Sequence, residues 1–177
     1  SFTVDRTATI SAIATSAFSW GSHLNATEDN SNGTVSVTTS GVENGQVVTI
    51  TLNSATYTAI VSSDAATVTI TASDLQALTD GNTYSLTADV SDVAGNAAAT
   101  VTSSSFTVDR TATISAIDTS AFSWGSHLNA TEDNSNGTVN VTTSGVENGQ
   151  VVTITLNSAT YTAIVSSDAA TVTITAS

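Results

Sequence analysis

The sequence predicts an all-β protein made of antiparallel β-sandwiches repeated in tandem, and three observations carry that expectation. Apolar residues alternate with Thr or Ser through much of the chain, as in Val48-Thr49-Ile50-Thr51-Leu52, which is the period-2 signature of half-buried strands. Gly and Asn punctuate these runs at Asn32-Gly33, Asn44-Gly45, Asp80-Gly81 and Gly95-Asn96, giving short strands about ten residues apart, the cadence of a sandwich. Finally, Ser1–Ser73 returns as Ser105–Ser177 at an offset of 104 residues, with only Ala14 replaced by Asp118 and Ser36 by Asn140. A period that long is a whole domain rather than a solenoid unit.

Taken in order, strands are expected at 8–13, with a continuation at 22–28, and then at 34–39, 47–52, 56–62, 66–72, 83–91 and 98–108. Each is a β-branched run bounded by turn residues. Asp74-Leu75-Gln76-Ala77-Leu78 reads as one helical turn between the fifth and sixth main strands. Tyr84, three residues after Gly81, stands where a tyrosine corner would sit in a Greek-key sandwich. The domain frame expected is 1–108, with 1–5 the tail of a preceding junction, followed by 109–177 as a second repeat without its last two strands. On its own that second repeat would have an exposed edge and an open core. The absence of an initiator Met and the partial second period suggest a stretch of a longer array.

Composition removes several function classes. There is no Cys, hence no disulfide framework and no Cys-based metal or redox motif. There is no Lys, so internal Lys–Asn isopeptide links are excluded, and the only cations are Arg6 and Arg110. A net charge of −13 argues against nucleic acid and against anionic membrane surfaces as partners. No apolar run approaches a membrane span. Catalysis finds no support: each repeat has one His (His23, His127), with no Gly-x-Ser-x-Gly elbow and no phosphate loop, and no small-molecule substrate is expected. His23 reads as a partly exposed strand residue.

Acidic side chains supply the remaining candidates. Glu28-Asp29-Asn30-Ser31-Asn32-Gly33 superficially resembles half of an EF-hand loop, but it begins with Glu, has Thr39 at the twelfth position and leads into a strand. It is either an Asn-rich turn or a calcium site of another kind. Asp5 and its copy Asp109 follow the last strand, and Asp92 opens Asp92-Val93-Ala94-Gly95-Asn96. In a seven-strand sandwich Glu28 should face the outgoing Asp109, while Asp92 and Asn96 should face the incoming Asp5. Oxygen ligands converging at both domain ends are what calcium needs, and solvated turn acids are the plainer alternative. The Thr-rich strands (Thr49, Thr51, Thr67, Thr69, Thr71) could form a weak, multivalent glycan- or ice-binding face, although Thr is also an ordinary solvent-facing strand residue. Trp20 beside Phe18 could stack on a sugar, or simply pack in the core.

Four motifs, in order and covering the whole period, carry a resemblance. Phe106-Thr107-Val108-Asp109-Arg110-Thr111-Ala112 resembles the FTVDxTAP junction of bacterial immunoglobulin-like repeats. Leu24-Asn25-Ala26-Thr27-Glu28 resembles their I/L-N-A-x-E segment, Asp74–Gly81 their DLxALxDG turn, and Asp92–Asn96 their DxAGN loop. The chain thus looks like the extender region of giant secreted bacterial adhesins of the repeats-in-toxin type. That resemblance implies an immunoglobulin-like Greek-key sandwich and a spacer on the bacterial cell surface that projects a distal adhesive domain. It also implies neighbouring repeats as partners and calcium-stiffened junctions with Asp5, Glu28, Asp92, Asp109 and Glu132 as ligands. Two departures stand out: Thr occupies the family's proline position, and Arg6 or Arg110 adjoins the linker Asp, which it could salt-bridge in place of calcium.

Overall fold

The computed structural model describes residues 4–176 and divides into two compact units, Ser1–Arg110 and Thr111–Ser177. The division falls after Arg110, where sequence placed the boundary after residue 108. Residues 1–3 of the expected preceding junction lie outside the described residues.

In the first unit, β1 (Thr9–Ile10), β3 (Gly33–Ser40) and β6 (Ala65–Ile70) form one antiparallel sheet in the order β1-β3-β6. The opposing layer contains β4 (Val47–Leu52), β5 (Ala55–Ile60), β8 (Thr87–Asp89) and β9 (Val101–Thr102), ordered β5-β4-β8-β9. It is extended by β2 (His23–Leu24), β7 (Thr83–Tyr84) and β10 (Phe106–Val108), with β10 parallel to β2 and antiparallel to β7. The expected strands 83–91 and 98–108 are therefore each broken in two. Ser103 explains the break: its buried hydroxyl accepts the Leu86 N–H at 3.0 Å, so a side chain takes one place in the ladder. The next N–H, that of Ser104, turns to the Ile13 carbonyl at 2.8 Å.

Two tight turns set the registers. Asn53 and Ser54 are both left-handed, with φ of 46° and 69°, as a two-residue hairpin loop matching strand twist requires. Ser63 and Asp64 repeat the device at φ 53° and 59°, between Ser62 and its bridge partner Ala65. Neither turn contains Gly, so neither carries the Asn-Gly signal. Asn32-Gly33, in contrast, is not a hairpin: Gly33 opens β3, and a Cβ there would lie 2.5 Å from the Trp20 ring.

Strand alternation delivers the core. In β3, Val35, Val37 and Thr39 are buried while Ser36, Thr38 and Ser40 face out. Phe106 sits at the centre of an aromatic cluster, edge-on to Phe18 and Trp20, with Tyr84 6.1 Å away. Trp20 is only 4% exposed, so it packs in the core and offers no face to a sugar. The tyrosine corner is present: the Tyr84 hydroxyl accepts the Thr79 N–H at 3.0 Å. The helical turn is α1 (Ala72–Gln76), started by Thr71, whose hydroxyl accepts the Asp74 N–H.

The second unit has β11 (Thr113–Ile114), β12 (Gly137–Ser144) and β15 (Ala169–Ile174) in one sheet, and β13 (Val151–Leu156) paired with β14 (Ala159–Ile164). The sequence holds no second copy of 74–104, and the effect on otherwise identical residues is direct. Leu24 is fully buried and Leu52 is 2% exposed, whereas their copies Leu128 and Leu156 are 57% and 49% exposed. An open cavity of about 590 Å³ is lined among others by Trp124, Leu128, Leu156 and Tyr161.

Candidate functional site

The candidate ligands fall at the two ends of the first unit, where the chain enters near Asp5 and leaves at Arg110. At the exit end, a 3-10 turn at Glu28–Asn30 is held by a reciprocal cap. Asn25 Oδ1 accepts the N–H groups of Thr27 and Glu28 at 2.9 and 3.0 Å, and Glu28 Oε2 accepts the Asn25 N–H at 3.1 Å. The Asn-x-x-Glu spacing is thus a local capping box. Glu132 repeats it with Asn129 in the second unit, at 3.0 Å, so the arrangement is intrinsic to the segment.

Asp29, the next residue of this capped turn, is only 5% exposed. A carboxylate buried to that degree needs a counter-charge or a set of hydrogen-bond donors. Arg110 supplies the counter-charge, with Nε 2.6 Å from Asp29 Oδ2. The same guanidinium donates to the Leu78 carbonyl at 2.7 Å and to the Leu75 carbonyl at 2.8 Å. Its backbone N–H donates to Asp80 Oδ1 at 2.8 Å. Asp109 is anchored to the same end by its N–H, which donates to the Leu24 carbonyl at 2.9 Å. The adjacent linker acid was one possible partner of Arg110; the ion pair in the structure is with Asp29.

At the entry end, Asp92 is 3% exposed and closes its own loop. Its two oxygens accept from the Asn96 N–H at 2.7 Å and the Asn96 amide Nδ2 at 2.6 Å. The same amide donates to the Asp5 carbonyl at 3.2 Å, so Asp5, Asp92 and Asn96 do come together. Glu43, which sequence reasoning did not single out, joins them by accepting the Val93 N–H at 2.9 Å. Burial pushes the Asp92 carboxyl up, but hydrogen bonds from Asn96, Gly95 and Ala94 outweigh it and leave the group below its usual range. Glu43 is also lowered, chiefly by the Val93 N–H.

Among the described residues no three His, Asp or Glu side chains gather as a metal site. The exit end does not fit a divalent ion, because a guanidinium already takes the Asp29 carboxylate and two carbonyls. The entry end brings Asp5, Glu43 and Asp92 into one neighbourhood, but both Asp92 oxygens are engaged by Asn96. Of the Thr residues considered for a binding face, Thr49 lies in β4, and Thr67 and Thr69 in β6, in different sheets, so the five do not make one surface. His23 is an exposed residue of β2, in contact with Ser22.

Comparison with protein-family models and with curated proteins gives no match. Among solved structures, the chain is 29% identical over 98% of its length to a Ca2+-stabilised adhesin that helps an Antarctic bacterium reach out and bind ice, with a TM-score of 0.48. It is 28% identical over 96% of its length to part of a 1.5-MDa bacterial ice-binding adhesin, with a TM-score of 0.48. The chain spans 41% and 54% of the lengths of those two solved chains. A third similar structure is a bacterial immunoglobulin-like domain from the M. primoryensis ice-binding adhesin, with a TM-score of 0.41. The chain is 32% identical to that third structure along 100% of its length, over 60% of this chain. The chain is thus all-β in its own strand arrangement and similar to immunoglobulin-like and other domains of bacterial adhesins.

Proposed function

We propose that the chain is a spacer of a secreted bacterial surface adhesin, giving length by repetition and projecting a distal adhesive domain away from the cell. The observation that carries this reading is a repeat conserved at all but two of 73 paired positions. Selection for many equal copies suits a stalk, where each module adds a fixed increment, better than it suits one specialised site. The packing is consistent with that role, since Trp20 is buried and the Thr residues are divided between two sheets. Binding assays against immobilised glycans and against ice test the reading: no retention is expected, and specific retention would favour the multivalent binding face.

A second reading concerns calcium and is favoured by one observation, the convergence of Asp5, Glu43 and Asp92 around Asn96. A calcium ion there would neutralise mutually repelling carboxylates, in keeping with the description of one similar adhesin as Ca2+-stabilised. Of the ligands implied by the resemblance, Asp5 and Asp92 lie at this end, where calcium would have to displace Asn96 from the Asp92 oxygens, whereas Glu28 and Glu132 lie in capped turns elsewhere. Small-angle scattering of a multi-repeat protein with calcium and then with chelator checks it. Greater stiffness in calcium, lost in D92N, is expected; identical profiles in both conditions would discard this reading.

A further inference from the structure

The oxygens gathered at the exit end of the first unit are hard donors of the type divalent cations take: the Asp29 carboxylate, the Leu75 and Leu78 carbonyls, and Asp80 Oδ1. We propose that Arg110 is the resident cation of this end, so that the module closes itself there without a metal ion. Any calcium requirement of the chain would then be confined to other positions.

The geometry gives the guanidinium three separate acceptors at 2.6, 2.7 and 2.8 Å, one on the capped turn and two at the end of α1 and just beyond it. A planar fork of fixed N–H directions suits this spread of acceptors, whereas the point charge of a lysine could not reach all three. The Asp29 and Arg110 side chains are 6% and 18% exposed, so the pair is held largely out of water. A calcium ion using these oxygens would have to displace the guanidinium from Asp29 Oδ2 and the two carbonyls, and the Arg110 backbone N–H from Asp80 Oδ1. The second unit supplies an internal control, because Asp133, the copy of Asp29, lies in the same capped turn without a counterpart of 74–110 and is exposed. The burial of Asp29 therefore comes from the segment that brings α1 and Arg110. The cation is also written into the period, since Arg6 stands 104 residues before Arg110. The inference rests on residues of one unit and would stand if the spacer reading failed; its own failure would leave that reading intact.

The composition makes the test direct, because Arg6 and Arg110 are the only arginines and there is no lysine. With 15N-arginine in the full chain, NMR should show two Nε–H signals, assigned by the one that R110K removes. The Arg110 signal should exchange with water at least about tenfold more slowly than that of the exposed Arg6. It should not move between chelator and ~10 mM calcium, a level above the roughly 10⁻⁴–10⁻³ M range of weak extracellular calcium modules. D29N should speed its exchange towards that of Arg6. Fast exchange of Arg110 in metal-free buffer, displacement of its signal by calcium, or slow exchange persisting in D29N would each overturn the proposal.

Discussion

Replacing Arg110 with alanine withdraws three side-chain hydrogen bonds at once and leaves Asp29 as a buried carboxylate without its counter-ion. Breaking a buried ion pair by removing one partner costs about 3–5 kcal/mol. Because the Arg110 side chain keeps 18% exposure, the lower end, about 3 kcal/mol, is the appropriate figure. For a domain of roughly 100 residues each kcal/mol moves the melting temperature by about 4–8 °C, so a fall of about 12 °C or more is expected for the first unit. Thermal unfolding in a W124F background, where Trp20 is the only tryptophan, isolates that unit's transition. The charge account also requires coupling. D29A/R110A should be more stable than the sum of the single variants predicts, by about 1–3 kcal/mol. A loss below about 1 kcal/mol for R110A, or strictly additive single variants, would refute the reasoning.

Other consequences follow from the same contacts. G33A places a Cβ 2.5 Å from the buried Trp20 ring and should cost about 1–3 kcal/mol by urea unfolding, whereas G137A, beside the half-buried Trp124, should cost less. Y84F leaves the Thr79 N–H without its acceptor and should cost about 1 kcal/mol, with faster amide exchange at Thr79. Asp92 and Glu43 are held below their ordinary values of 3.8 and 4.5, so their contribution is present above those values and disappears as pH falls through and below them. N96A should therefore flatten the acid limb of the stability profile, measured by unfolding between about pH 5 and 2.5. Burial and the Asp74 carboxylate push Tyr57 up to about 12, so absorbance titration should show one tyrosine ionising there, absent in Y57F.

Much of the fold was legible because it is local. The alternation in 34–39 and 47–52 survives directly as β3 and β4, and the Gly81-to-Tyr84 spacing yielded the tyrosine corner. The breaks in the last two strands were not legible, since they depend on Ser103 reaching the Leu86 amide across 17 residues. Nor were the turns at Asn53-Ser54 and Ser63-Asp64, where tertiary context imposes positive φ on residues other than Gly. At the ends of the module the acids were visible but their partners were not. Asn25 and Glu28 carry a capping-box spacing, but the oxygen-rich run that follows is equally the composition of a metal-binding loop. The Asp29–Arg110 pair spans 81 residues, and the available signal was charge balance: one cation per repeat among many acids has to be placed somewhere. Glu43 offered no local signal beyond its position before Asn44-Gly45.

The measurement that bears most directly on the account is the length of proteins containing two, four and eight complete repeats, read from small-angle scattering or electron micrographs. A spacer of self-closed modules predicts a maximum dimension that grows in proportion to repeat number. A dimension growing only as about the square root of repeat number, as for freely jointed modules, or not growing at all because the repeats collapse together, would contradict it.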